Sequence, residues 1–386
     1  MTDSTPGAAS DATGTTGDGT DAADVVVVGG GPAGSAAAVF AARYGLETVV
    51  FDRGSSALRR CAYLENYLGF PGGVDVDVFH DLMHAHVAEM GARRVEELVD
   101  AVEPLPEDDA ERGAGDDADG DADDGAGDVD GGRVEGCDDA RFRVRTQEGT
   151  TVLATDVVAA AWYDGSYLRP LSADADGELF VEHEHHGEAE ERFDPAYADD
   201  DGRTPIDGLY VASPSAARSA QAIVAAGNGA YVARALIEDR RRDRGLTGGV
   251  APEYDWLRRA SEFTGEWAER DRWREWFENE LADDHDLDDD DAVADLRDGY
   301  VEEAFETCVD ESEATERAAD GLATFVDVVG VDRVVEAIDV DRLVEAAGTD
   351  AVLDAVDDET IRRRASVDDP GSEPVTDGTA FTEGGE

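Results

Sequence analysis

Lysine is absent from this chain of 386 residues, so its 32 basic side chains are all arginine, set against 93 Asp and Glu. The formal charge is −61. With no basic stripe to neutralise phosphates, such a chain is expected to bind neither nucleic acid nor anionic membrane. Cysteine is scarce. Cys61, Cys137 and Cys308 are too scattered for a disulfide framework, and no pair has the Cys-x-x-Cys spacing of a zinc knuckle or redox dithiol. No apolar run approaches the roughly 20 residues that span a bilayer. Met1 to Asp24 carries neither the basic stretch nor the apolar core of a secretory signal. Charge of this size opposes compaction at low salt, but at molar salt the Debye length falls to about 3 Å and the penalty fades. The composition is that of a cytoplasmic protein of an extreme halophile, and it speaks to solvent rather than to function.

What is present falls into segments. Residues 1–22 and 366–386 read as disordered tails, and the Asp/Gly/Ala run at 107–140 as an acidic loop that cannot bury a core. Residues 23–106 alternate apolar runs with Gly-rich turns, and 141–238 return to strand and helix patterns, so 23–238 reads as one α/β domain with the acidic loop inserted. From 251 to 365 the pattern is that of an all-α domain. Trp256, Ala260, Phe263 and Trp267 share one helical face, as do Val293, Leu296, Tyr300 and Ala304. Core packing is the commoner meaning of such a stripe, an aromatic ligand cage the rarer one. Val331–Ala337, Val340–Ala346 and Thr349–Ala355 are copies of a nine-residue repeat, with a weaker copy from Asp358. Asp332, Asp341 and Asp350 are placed to cap two-turn helices that fold back to bury their Val/Leu pairs, leaving an interaction surface as the lesser option.

The strongest motif is Val25–Val28 running into Gly29-Gly-Gly31-Pro32-Ala33-Gly34 and then a small-residue helix. Gly29 permits the tight turn, Gly31 lets a pyrophosphate approach the backbone, and Gly34 lets helix lie close on strand. The helix N-terminus offers N–H groups to the phosphates. A second strand, Thr48 to Phe51, ends at Asp52, where an acid bonds the ribose hydroxyls of an adenosine. This is a Rossmann-like βαβ unit with a parallel sheet. The pattern alone leaves NAD and FAD open.

Glu65-Asn66-Tyr-Leu-Gly-Phe-Pro71-Gly72 resembles a segment of the thioredoxin reductase family, FAD-dependent pyridine nucleotide-disulfide oxidoreductases. Asp207-Gly-Leu-Tyr-Val-Ala212, followed by Gln221-Ala222 and Gly229-Ala230, resembles that family's closing FAD motif. The resemblance implies FAD as cofactor, with Asn66 and the Gln221-Ala222 turn holding the flavin and homodimers as the common assembly. It also marks four departures. The catalytic Cys-x-x-Cys is missing, and no second glycine turn marks an NADPH domain. Ser213-Pro214 stands where the family has Gly-Asp, so either FAD affinity falls or the ribityl contacts come from Ser213 or Ser215 instead. Ala159-Ala-Ala161-Trp162 replaces an Ala-Thr-Gly turn.

Cys61, four residues before Glu65, is the one thiol expected near the flavin, as a reactive group or an incidental cysteine, with Arg59 and Arg60 beside it. Glu182-His-Glu-His-His186 has the composition of a metal site but lacks a third partner at fixed spacing, so an exposed acidic turn is the reading, and no metal is expected. His80 and His84, on one face of a helix, read as an exposed pair. Two functions follow. One is an FAD-dependent oxidoreductase passing electrons through its flavin with an external small-molecule or protein donor, or a small substrate. The other is a non-catalytic dinucleotide-binding scaffold or sensor with a helical interaction domain.

Overall fold

A computed structural model describes residues 21–54, 56–106, 139–161, 165–173, 175–185, 188–214, 218, 220–282, 285, 287 and 290–367. The tails and acidic loop expected from composition lie almost wholly outside them. The exceptions are at the edges: Asp21 and Ala22 open the first strand, Asp139 and Ala140 are described just before Arg141, and the last helix runs to Val367.

The chain folds into β1 (Asp21–Val28), α1 (Pro32–Arg43), β2 (Thr48–Phe51), α2 (Val76–Glu89), β3 (Arg93–Val95) and β4 (Val99–Pro104). Then follow β5 (Phe142–Thr146), β6 (Thr151–Ala159), a hairpin of β7 (Phe180–His185) and β8 (Glu188–Phe193), β9 (Leu209–Val211) and α3 (Ala222–Asp243). The main sheet runs β3-β2-β1-β6-β5-β4, with β9 also on β6. The pairs β2–β3, β1–β2, β1–β6 and β6–β9 are parallel, whereas β4, β5 and β6 form an antiparallel meander. Strand order reverses between β1 and β6, and a crevice opens there at the strands' C-terminal ends.

The valine run of β1 follows from its central place. Val25 and Val27 face α1 and α3, and Val26 and Val28 face Phe142, Leu168 and Leu171 on the other side of the sheet. A strand covered on both faces needs no polar alternation. On α3, Gly229 lies so close to α1 that a Cβ there would stand 1.9 Å from the Ala33 carbonyl oxygen. Arg240 reaches the base of the sheet, where Nε donates to the buried Asp156 at 2.5 Å and the rest of its guanidinium to Asp24. Arg241, 1% exposed, donates to the carbonyls of Val250 and Ala251 and pairs with Glu253 at 2.7 Å.

That tether accounts for a difference from the sequence reading. A separate helical domain was expected from residue 251, but the chain divides into two compact units at Gly321/Leu322. The first unit contains β10 (Arg258–Arg259), α4 (Arg270–Glu280), α5 (Asp290–Glu306) and β11 (Cys308–Val309), with β10 and β11 parallel. Leu296 and Tyr300 of α5 pack on Leu246, Val250 and Phe277, as their spacing predicts. The stripe from Trp256 to Trp267 is not one helix. It is β10 followed by two 3₁₀ turns, Ala260–Glu262 and Gly265–Ala268, and Gly265 takes φ +61°, outside the right-handed helix.

Helix α6 (Glu311–Val329) crosses the division, and the second unit continues with α7 (Val331–Ala337), α8 (Val340–Ala347), α9 (Thr349–Ala355) and α10 (Asp358–Val367). The repeats are therefore two-turn helices, but two details differ. Asp332, Asp341 and Asp350 sit inside the first turn. The caps are Gly330, Asp339 and Gly348, and only Asp339 accepts N–H bonds with its side chain. Nor are the Val/Leu pairs buried: α7, α8 and α9 contain no buried residue, and Val340 is 67% exposed. Among the described residues no helix is long and apolar enough to cross a membrane.

Candidate functional site

The crevice at the end of β1 is lined by Gly29, Gly30 and Gly31, by Asp52 and Ser56 after β2, and by Ala160 and Ala161 after β6. The three glycines have different physical reasons. Gly29 has φ +111°, and a Cβ on it would lie within 2.9 Å of the Ala160–Ala161 backbone. At Gly34 a Cβ would lie 1.8 Å from the Gly29 carbonyl oxygen, so this glycine sets the contact of α1 with the loop. At Gly31 a Cβ would meet nothing closer than Ser56 Oγ at 3.7 Å. The space in front of Gly31 is open, and no protein contact explains the residue.

Helix α1 starts at that space. Gly31 is its N-cap, Pro32 its first residue, and there is no capping side chain and no acid in the first turn. Ser35 turns inward and donates to the Gly30 carbonyl at 3.0 Å, which stiffens the loop. An uncapped helix end with its dipole aimed into a cleft suits an anion.

Asp52, 6% exposed, accepts the Gly54 N–H on Oδ1 at 3.0 Å. Its Oδ2 lies 3.3 Å from His84 Nε2, in ionic contact, but the ring is not oriented for a hydrogen bond. Asp52 Oδ2, His84 Nε2 and His80 Nε2 are all buried without a hydrogen-bond partner among the described residues. Burial pushes the Asp52 carboxyl up, but His84 and the Gly54 N–H outweigh it and hold the group below 3.8. Burial, then the neighbouring His84, lowers His80 below 6.5.

The exposed-pair reading of His80 and His84 is thus corrected. His80 is 4% exposed, and the two rings meet edge to face at 4.8 Å between centroids. The spacing placed both on one face of α2 but could not show that the face turns toward Asp52. Ser56, Ala160 and Ala161 also escaped the sequence reading. Only the last two left a trace, in the altered turn after β6.

The residues that the resemblance assigns to the flavin form a second group. Asn66 Nδ2 donates to Gln221 Oε1 at 2.9 Å, joining segments 155 residues apart. Ala222 opens α3 and packs beside the cluster of Leu58, Leu64 and Phe79. Ser213 is buried, its N–H bonded to the Ala159 carbonyl at 3.1 Å, and Pro214 follows through a cis peptide. Cys61 is an exposed free thiol after the 3₁₀ turn Ala57–Arg60 and does not line the glycine crevice. Ser215, Trp162 and His186 lie outside the described residues. In the β7–β8 hairpin Glu182 is opposite Glu191, and no cluster of three or more His, Cys, Asp or Glu among the described residues is placed to hold a metal.

Residues 23–107 match the family model described as pyridine nucleotide-disulphide oxidoreductase. This part of the chain is similar in sequence to two curated thioredoxin reductases. It is similar to the thioredoxin reductase of Mycolicibacterium smegmatis, 38% identical over 82 residues, which is 21% of this chain and 26% of that protein. The thioredoxin reductase of Streptomyces coelicolor is 34% identical over 86 residues, 22% of this chain and 27% of the relative. The chain thus matches about a quarter of the length of these curated relatives. Among solved structures, a thioredoxin reductase from Gloeobacter violaceus aligns over 62% of this chain and 98% of its own, at 18% identity and a TM-score of 0.39.

Proposed function

We propose that the chain is an FAD-dependent oxidoreductase resembling thioredoxin reductase, passing electrons through a bound flavin with an external donor or a small substrate. The observation that carries this reading is the open space at Gly31 beside the buried Asp52, whose Oδ2 makes no hydrogen bond among the described residues. A glycine that no protein contact requires and a buried carboxylate oxygen in ionic contact with His84 but without a hydrogen bond fit a pyrophosphate and a ribose hydroxyl. The loop from Gly29 to Gly34, with Pro32 and Ala33 opening α1, would bind the pyrophosphate. Asp52 would accept from the adenosine ribose, Ser213 would stand near the ribityl chain, and Asn66 with Gln221 and Ala222 would hold the ring. Bound flavin supplies the redox chemistry, and the residues bind it, orient it and exclude water.

Support for a second reading, a dinucleotide-binding scaffold without turnover, comes from Pro214 at the place of an acid and from the lack of a Cys-x-x-Cys in the chain. One experiment separates the two. The protein is purified in molar salt, loaded with FAD, and its visible spectrum followed on adding reductants. Bound flavin that bleaches and recovers over many cycles with an added acceptor supports the oxidoreductase. Bound flavin that never exchanges electrons supports the scaffold, and folded protein that stays colourless contradicts both forms of the FAD assignment.

A further inference from the structure

Trp256, Phe263 and Trp267 of the sequence stripe line a cavity together with aromatic residues from α4 and α5. Trp256, Trp267, Trp273, Trp276 and Tyr300, with Phe263, surround about 370 Å³, within the range of small-molecule sites and with the aromatic lining they favour. The walls are fixed. Phe263 stacks on Trp273 at 5.7 Å, Trp267 meets Trp273 edge-on at 5.4 Å, and Trp273 Nε1 donates to the Trp267 carbonyl at 2.8 Å. Trp256 remains 61% exposed. This is a high solvent-facing share for the largest apolar side chain in a chain so rich in polar residues.

Two charged residues complete the lining, Arg258 and Glu262. The Arg258 backbone is pinned, its N–H bonded to the Thr307 carbonyl at 2.8 Å, and its guanidinium lies over the Trp273 ring at 5.6 Å. Neither side chain makes a hydrogen bond or ion pair with another described residue. A guanidinium over an aromatic face keeps its N–H donors free, and a carboxylate can take two of them in parallel bonds. Glu262 offers the complementary acceptor to an ammonium. The chain's charge of −61 disfavours a net anion, and Arg258 disfavours a net cation. A ligand carrying both charges and a ring meets neither penalty.

We propose that this cavity binds a small aromatic zwitterion of the α-amino acid type. Its ring would lie among the tryptophans, its carboxylate on Arg258 and its ammonium toward Glu262. The site is separate from the glycine loop. Helix α1 begins at that loop and spans 12 residues to Arg43, which binds Asp255 at 2.6 Å, between Tyr254 and Trp256 of the cavity wall. At 1.5 Å per residue that is about 18 Å away. The proposal does not rest on the cofactor reading.

The test is a tryptophan fluorescence titration of the full chain in molar salt with L-phenylalanine, excited where phenylalanine does not absorb. A saturable change at millimolar concentration is expected. Phenylacetate and phenethylamine, each lacking one charge, should bind about tenfold more weakly. Arg258→Gln should weaken L-phenylalanine by a similar factor. The exposed Glu262→Gln should weaken L-phenylalanine and leave phenylacetate unchanged, a pattern that loss of folding would not produce. No saturable change with L-phenylalanine, equal affinity for phenylacetate, or unaltered binding by both variants would overturn the proposal.

Discussion

In β1 the four valines from Val25 to Val28 are each at most 1% exposed, whereas the repeat helices α7, α8 and α9 bury no residue at all. Both regions are rich in valine, so composition does not make the difference. β1 has a strand on each side and a layer on each face, so every side chain is covered. Each repeat helix has 7 or 8 residues, too short to be stable alone, and only α8 has a side-chain cap. Periodicity fixes local conformation, but burial requires a partner that the period does not name.

The largest effects should come from the glycines inside the packed region. Gly34→Ala puts a Cβ 1.8 Å from the Gly29 oxygen, and Gly229→Ala one 1.9 Å from the Ala33 oxygen. Each should cost at least about 3 kcal/mol, read as the denaturation midpoint in molar salt. Gly31→Ala should stay within about 0.5 kcal/mol of wild type. Equal losses at Gly31 and Gly34 would erase the distinction between a packing glycine and a ligand glycine.

Next in size is the pair at the base of the sheet. Asp156→Ala strands Arg240 in a half-buried site and should cost about 3 kcal/mol, moderated because Arg240 keeps Asp24. A loss below 1 kcal/mol would show that solvent already screens the pair.

A smaller effect concerns pH. His80 titrates below 6.5 when folded, so the unfolded chain binds more protons as pH falls through 6.5. Stability should decline on acidification across that window, and His80→Gln should flatten this part of the profile. Asp52 acts lower. Its folded carboxyl titrates below 3.8, so its contribution is present above that value and lost as pH falls through the folded pKa.

The smallest effects belong to the repeats. Val340→Asp and Leu353→Asp, at residues 67% and 51% exposed, should shift the midpoint by no more than about 0.5 kcal/mol. A loss several times larger would mean that these helices are covered in solution.

Much of the glycine-loop crevice was legible because its residues act through the backbone. Gly29, Gly34 and Asp52 occupy places set by the turn and by the end of β2, and a βαβ unit fixes those places from spacing alone. The helices of the repeats were legible for the same local reason. What escaped depends on contacts between distant segments. The His84–Asp52 contact joins α2 to the end of β2, and the Asn66–Gln221 bond spans 155 residues. The tryptophan stripe misled because helical spacing was present, whereas the segment forms β10 and two 3₁₀ turns and lines a cavity.

The account turns on Gly31 as the place where a dinucleotide meets the backbone. The most direct measurement compares FAD binding by the wild-type chain and Gly31→Val, by visible absorbance and FAD-induced thermal stabilisation in molar salt. The wild type should take up flavin and melt higher with it, while the variant folds normally but neither colours nor responds. A folded Gly31→Val protein that binds FAD as tightly as wild type would contradict the account.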